Sequence, residues 1–238
     1  MASASSSLEN TNLVDSFRAT AEVVANRLGR YGLTTRAYLD PSLPRFRELA
    51  PIQQRNALDQ LKVYLQSIEL AEANGDRFDD TGRALWYALS ALGLVPPSNL
   101  FDQIPAGSAI EIYDSENIQI WRNWEVMRVC GYTIEEIHCL EWHRRYERDP
   151  AITAQCFELV GRLMAATSDI IVPDVPGHDI LESCSQERFH LSVRFQLAAR
   201  LNDRQGKTVA FLLASEVPTA YKTRELPLDD LKPYLVEV

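Results

Sequence analysis

The hydrophobic period of this chain changes once, and that change limits the folds open to it. Up to about residue 94 the apolar side chains recur at helical spacing; from residue 109 onward stretches of strict alternation appear. A face that repeats every 3.6 residues suits a helix and one that repeats every second residue suits a half-buried strand, so a helical part precedes a sheet-containing part. The Pro-rich connection Pro96 to Gly107 separates the two.

Three helices are predicted before the switch. Leu13, Phe17, Val24 and Leu28 make one stripe over residues 12–28, with Asp15 near its start and Gly29 past its end. Residues 31–48, broken by Pro41 and Pro44, read as a connection with a short turn of helix. Pro51 opens a long helix to about Asn74, since proline in the first turn gives up only a donor that a helix leaves unused. On it Leu58, Leu61, Leu65 and Ile68 form a stripe that suits either the seam of a homodimer or a core face within one chain. The third helix follows Asp79 and Asp80 and runs to about Leu94, with Leu85, Trp86, Leu89 and Leu92 expected inward. The Ser/Ala-rich segment Met1 to Asn10 lacks the basic and apolar regions of a signal peptide and reads as a short disordered tail.

After the switch, residues 109–113 and 117–120 flank an Asp114-Ser115-Glu116 turn and predict a hairpin. Helical text covers 123–130, 133–142 and 150–166, with Thr133 and Glu136 spaced as a capping box. Ile170 to Val172 reads as a short strand before a Pro/Gly loop. Phe189, Leu191, Val193, Phe195 and Leu197 alternate with polar residues, and Thr208 to Val217 returns after the turn Asn202 to Gly206. Strands on both sides of a helical middle exclude a doubly wound parallel sheet. They predict an antiparallel α+β domain whose middle helices cover one face of the sheet and enclose a space against it.

Charge and cysteines narrow the function classes. The 238 residues carry 33 acidic against 24 basic side chains, a net charge of −9, which argues against nucleic acid and anionic membranes as partners. The imbalance lies mainly in residues 106–238, with 14 basic against 21 acidic, rather than in 1–105, with 10 against 12. Residues 84–101 are uncharged, but Gly93, Pro96 and Pro97 interrupt them before the roughly 20 residues that a membrane span needs. The four cysteines form no CxxC pair, so no metal site is expected, and Cys130 and Cys139 read as buried free thiols. A cytoplasmic location follows by elimination.

The second half resembles a PAS domain over about residues 109–217. Ile112-Tyr113-Asp114 with Ile118 to Trp121 looks like that family's first hairpin. Asn123, then Gly131-Tyr132-Thr133 with Glu136, looks like its Asn-opened element and its Gly-Tyr-(Ser/Thr)-x-x-Glu helix start. The two closing strands look like its last hairpin. Backbone reasons account for the motif: Gly131 for a left-handed helix end, Thr133 for a cap. The chain departs from the family pattern between Ala166 and Arg188, where Pro173, Pro176 and Gly177 interrupt the place of the third strand. The resemblance gives three parts: an N-terminal helical region, 1–105, for dimerisation or partner docking; a PAS-like sensor domain, 106–220; and a C-terminal tail, 221–238.

The resemblance also implies a sensory or partner-binding module with a pocket between the long helix and the sheet. Tyr113, Trp121, Trp124, Trp142, Cys156, Phe157, Val160, Phe195 and Phe211 are the candidate wall residues. Neither Cys139 nor Cys156 lies in an Asn-Cys-Arg-Phe-Leu-Gln type segment, and residues 150–166 hold no histidine, so covalent flavin and haem are not expected. A non-covalent metabolite remains open. His138 reads as a surface residue, Cys139 as core, and Glu135 and Glu136 as cap and solvated surface. His143-Arg144-Arg145-Tyr146-Glu147-Arg148 could grip a phosphate or an acidic partner. Balanced by Glu141, Glu147 and Asp149, it reads rather as a solvated face.

Two functions are compatible with these residues. The first is a stand-alone, bacterial-type sensory or adaptor protein that binds a small ligand or a protein, signals in trans and performs no catalysis. The alternative is a small α+β cavity enzyme acting on a polar metabolite, with His190 or Tyr113 in acid/base work.

Overall fold

The computed structural model describes residues 3–222, with side chains from residue 12 onward except at 219, 221 and 222. The expected tail of residues 221–238 lies outside the described residues beyond Lys222. The helical part comprises α1 (Ser3–Arg30), α2 (Pro44–Glu48), α3 (Pro51–Ala73), α4 (Thr81–Leu92) and α5 (Leu100–Gln103). The sheet-containing part runs β1 (Ala109–Asp114), β2 (Gln119–Arg122), α6 (Trp124–Val129), α7 (Ile134–Cys139), α8 (Trp142–Arg145), β3 (Tyr146–Glu147) and α9 (Pro150–Ala165). It closes with β4 (Ile170–Ile171), β5 (His178–Glu182), β6 (Phe189–Asn202) and β7 (Thr208–Lys222).

All strand pairs are antiparallel, in the order β2-β1-β7-β6-β5-β3, with β4 also on β6. The first and last hairpins therefore lie side by side in one sheet, as the PAS resemblance implies, and the fold is a PAS-like α+β arrangement preceded by helices. The third strand is split. Ile170 and Ile171 pair with Ala199 and Ala198, and pairing resumes at His178 with Val193. Pro173 and Pro176 lie in between and have no N–H to give a ladder. The polar text taken for a long loop thus contains β5.

Several sequence expectations change. Residues 3–10 are helical rather than a tail, because extending an established helix costs far less than starting one. Helix α1 passes through Gly29 and ends at Arg30, just before Gly32, whose φ of +86° turns the chain off the helical path. Trp86 is 57% exposed: the inner face of α4 is Ala84, Leu85, Ala88 and Leu89, and Trp86 turns away to meet the Phe101 ring at 5.9 Å. Leu92 is half-buried.

The Leu58-Leu61-Leu65-Ile68 stripe is no exposed seam. Leu58, Leu61 and Ile68 are buried within the single chain and Leu65 is half-buried, in one cluster with Phe17, Val24 and Leu28 of α1 and Leu85 of α4. That cluster continues into Ile110, Ile112, Ala199, Leu201 and Leu212, on one face of the sheet. The helical layer and the sheet therefore share a core. Backbone bonds add to the joint: the N–H groups of Ile134 and Glu135, unused at the start of α7, donate to the carbonyls of Arg36 and Ala37 at 2.8 and 3.1 Å.

Glu135 and Glu136 are buried, contrary to the solvated reading. Glu135 accepts the Phe46 N–H at 3.1 Å, and burial raises its pKa. Thr133 and Glu136 form the expected capping box. His138 is half-buried rather than a surface residue, with Nδ1 donating to the Ile134 carbonyl at 2.9 Å. Burial, and then the charge of Arg122, pushes its pKa down to about 3, so the ring is neutral. Cys139 is half-buried, and burial pushes its thiol up. Cys130 is also half-buried, its thiol pushed up to about 12.

Candidate functional site

The second face of the sheet carries a cavity of about 80 Å³. Its floor is set by alternation in the strands: Glu111 and Tyr113 of β1, Phe211, Leu213 and Ser215 of β7, and Leu191, Val193 and Phe195 of β6. Its roof is Cys156, Leu159 and Val160 of α9, Val126 and Val129 at α6, and Trp142, Arg145, Tyr146 and Arg148 around α8. Tyr113 stacks on Phe211 with ring centres 5.1 Å apart and meets Trp142 edge-on at 6.2 Å. The Trp142 indole N–H donates to the Asn117 carbonyl at 3.2 Å, tying the roof to the β1–β2 turn.

Six of the nine candidate wall residues line this space: Tyr113, Trp142, Cys156, Val160, Phe195 and Phe211. Three do not. Trp121 lies on the opposite face because of a β-bulge: Ile112 pairs with Trp121, but Tyr113 pairs with Gln119, which leaves Ile120 as an extra residue. The bulge reverses the alternation, and Trp121 packs against Tyr64 of α3 while its indole N–H reaches Ser67 Oγ at 3.4 Å. Trp124 turns to the helical layer and meets Tyr31 edge-on at 6.3 Å. Phe157 is 46% exposed on the outer side of α9, 5.1 Å from Trp142.

The same bulge places Gln119 and Arg122 on the cavity side, where they join a buried polar group. Gln119 Nε2 donates to Glu111 and, at 3.3 Å, to the Tyr113 hydroxyl, while Gln119 Oε1 accepts from Arg145 Nη2. Arg122 and Arg145 are each 2% exposed. Arg122 Nη1 donates to the Ile137 carbonyl at 2.9 Å, and burial together with the charge of Arg145 pushes its pKa down to about 9. The Nε atoms of Arg122, Arg145 and Arg148 are buried without a partner. Arg145 and Arg148 are the residues that sequence reasoning left on a solvated face. No single period in the sequence relates them to Trp142, because α8 ends at Arg145 and Tyr146–Glu147 is already the strand β3.

The Gly-Tyr-Thr motif holds this group in place. Gly131 does not have the left-handed conformation expected of it. Its glycine requirement is close approach: an added Cβ would lie 2.8 Å from Phe189 Cδ2 and 2.9 Å from Glu182 Oε2. The Tyr132 hydroxyl donates to the Arg145 carbonyl, which also accepts the Ser183 N–H at 2.9 Å. Asn123 is fully buried, accepts the Ile110 and Val126 N–H groups and donates to the Ser108 carbonyl at 2.8 Å, fixing α6 to the start of β1.

Burial raises the Tyr113 and Tyr146 phenols well above their usual range and raises the Cys156 thiol, so all three stay protonated. His190 is buried but does not line the cavity. The space of about 80 Å³ is small beside the roughly 300–1,000 Å³ pockets that hold drug-sized molecules. Among the described residues no group of three or more His, Cys, Asp or Glu could hold a metal ion, and no helix is long and apolar enough to cross a membrane.

No protein-family model matches the chain, and no curated protein does. Among solved structures, the chain is similar to a light-oxygen-voltage domain from a study of its mechanism with a flavin analogue, at 18% identity over 54% of this chain and 84% of that one, with a TM-score of 0.30. It is also similar to a domain of a histidine kinase from Haloarcula marismortui described as light and redox sensing, at 11% identity over 51% and 96%, with a TM-score of 0.28. A third is an RNA-binding light-oxygen-voltage receptor, at 11% identity, covering 85% of this chain and 59% of that one, with a TM-score of 0.30. At these scores the PAS-like assignment rests on the strand order and the helices over the sheet, rather than on superposition.

Proposed function

We propose that this chain is a sensory or adaptor module whose cavity takes a small, non-covalently held molecule and whose response passes to a protein partner by contact. The observation that carries this reading is the space between α9 and the sheet, with apolar walls and a buried polar group at one end. The helical layer is the route outward, because it shares its core with the sheet and bonds the start of α7 directly. Self-association through the Leu58-Leu61-Leu65-Ile68 stripe loses its support, since that stripe is core. The four free cysteines are in keeping with a reducing compartment, and we place the protein in the cytoplasm on that basis. The enzyme alternative keeps Tyr113 at the cavity but leaves it protonated and without His190.

Native mass spectrometry with an absorption spectrum of freshly purified protein tests the reading. The expected result is a colourless protein that carries a small molecule, or gains one from a metabolite library with a rise in melting temperature. A protein that retains nothing and whose melting point no library member shifts would sink the ligand reading.

A further inference from the structure

We propose that the cavity binds a short-chain monocarboxylate, its carboxylate held by Arg145 and Arg148 and its aliphatic body lying against the apolar wall. The proposal rests on the reading above that the cavity takes a ligand, and goes beyond it by naming the ligand's chemistry.

Charge at the cavity favours an anion. Two guanidinium groups, Arg145 and Arg148, line the cavity, and the carboxylate of Glu111 is the single acidic side chain on its wall among the described residues. Glu111 is already engaged by Gln119. Arg122, buried beside this group, adds a third cation and makes no ion pair with Glu111: its bonded partner is the Ile137 carbonyl. Three buried or half-buried cations beside the one carboxylate of Glu111 are costly to desolvate, and an anion entering the cavity would offset that cost.

Unused donors point the same way. The Nε atoms of Arg145 and Arg148 are both buried with no acceptor, and Arg145 is 2% exposed. A guanidinium offers its N–H groups in a planar fork that matches the two oxygens of a carboxylate. Arg145 is also held ready: Tyr132 and Ser183 grip its carbonyl, and Gln119 takes one of its terminal N–H groups. Arg148 lies against the Trp142 ring, its guanidinium carbon 5.7 Å from the ring centre.

Size and polarity narrow the anion further. The rest of the wall is apolar, with Leu159, Val160, Phe195 and Leu213 on it, which disfavours an ion that must stay hydrated all round. The volume of about 80 Å³ is roughly half that of a cavity of about 150 Å³ known to take benzene, so the body should have about two to four carbons.

The test is isothermal titration of the full chain with acetate, propionate, butyrate, butyramide and inorganic phosphate, together with melting curves. Propionate or butyrate should bind one to one, with butyramide weaker by about tenfold or more, the loss expected of a charge-assisted pair. Arg148→Gln should weaken butyrate by a similar factor without lowering the melting point in the absence of ligand, because it removes a cation whose buried Nε has no acceptor. Arg145→Lys serves as the second variant, and Phe157→Ala, outside the cavity, should leave binding unchanged. Equal binding of butyrate and butyramide overturns the anion assignment and leaves the ligand-binding reading standing. Binding of phosphate without any carboxylate overturns the monocarboxylate. Failure of every probe overturns the monocarboxylate; the ligand-binding reading falls with it only if the native mass spectra are empty and no member of the metabolite library shifts the melting point.

Discussion

The backbone N–H of Gly131 donates to Glu182 Oε1 at 2.7 Å, joining the turn before α7 to the end of β5. Glu182 is fully buried, and its other oxygen accepts the Phe189 N–H at 2.9 Å and the Ser185 hydroxyl. One carboxylate thus gathers donors from two loops and satisfies them all. The Phe189 ring closes over the same spot, so only a residue without a side chain brings its backbone this near.

Gly131→Ala should therefore destabilise the fold by about 1–3 kcal/mol, the usual cost of forcing an extra methyl into a packed site. Urea denaturation of the two proteins measures it. A change within about 0.5 kcal/mol, the ordinary range for surface substitutions, would show that the contact yields freely.

Tyr132→Phe removes the hydroxyl that donates to the Arg145 carbonyl and accepts the Ser183 N–H at 3.2 Å. The expected loss is about 1 kcal/mol, the net worth of a buried hydrogen bond. Because the variant frees the Arg145 backbone, ligand affinity at the cavity should fall with it. An unchanged unfolding midpoint would count against the clamp.

His138 gives the chain a pH dependence with a definite sign. Its folded pKa, about 3, lies below the ordinary value of 6.5. Stability is then complete above about pH 6.5 and is lost as pH falls toward 3, because the unfolded chain takes up the proton first. Glu135 and Glu182, both raised chiefly by burial, act in the opposite direction: their contribution is present below the ordinary carboxylate pKa and lost as pH rises through their folded values. Replacing His138 by Gln should flatten the decline in urea midpoint between about pH 6.5 and about pH 4.5. Parallel curves for the two proteins would rule His138 out as its source.

Leu61→Ala tests the fate of the leucine stripe. Leu61 is fully buried within the chain, so its truncation should cost about 2–5 kcal/mol, independent of protein concentration. A melting point that rises with concentration in the parent protein and not in the variant would restore the seam.

Long, regular patterns were legible in the sequence and irregular ones were not. Helices α3 and α9 and the hairpin of β6 and β7 carry enough repeats for one face to be read without tertiary knowledge. Strand β5 carries Asp179 near one end and the buried carboxylate of Glu182 at the other; nothing local shows that backbone donors from another loop make that charge tolerable. Trp121 was misplaced because one extra residue in β2 turns every later side chain over. Arg145 and Arg148 share a segment with exposed Arg144, which pairs with Glu141 at 2.9 Å, so composition hid the difference between them.

The core shared by the helices and the sheet makes occupancy of the cavity readable far from it. A molecule that binds only the folded chain raises the cost of opening any part that must unfold with it. Amide hydrogens of α3 and α4, which touch no ligand, should then exchange more slowly with solvent as the cavity fills.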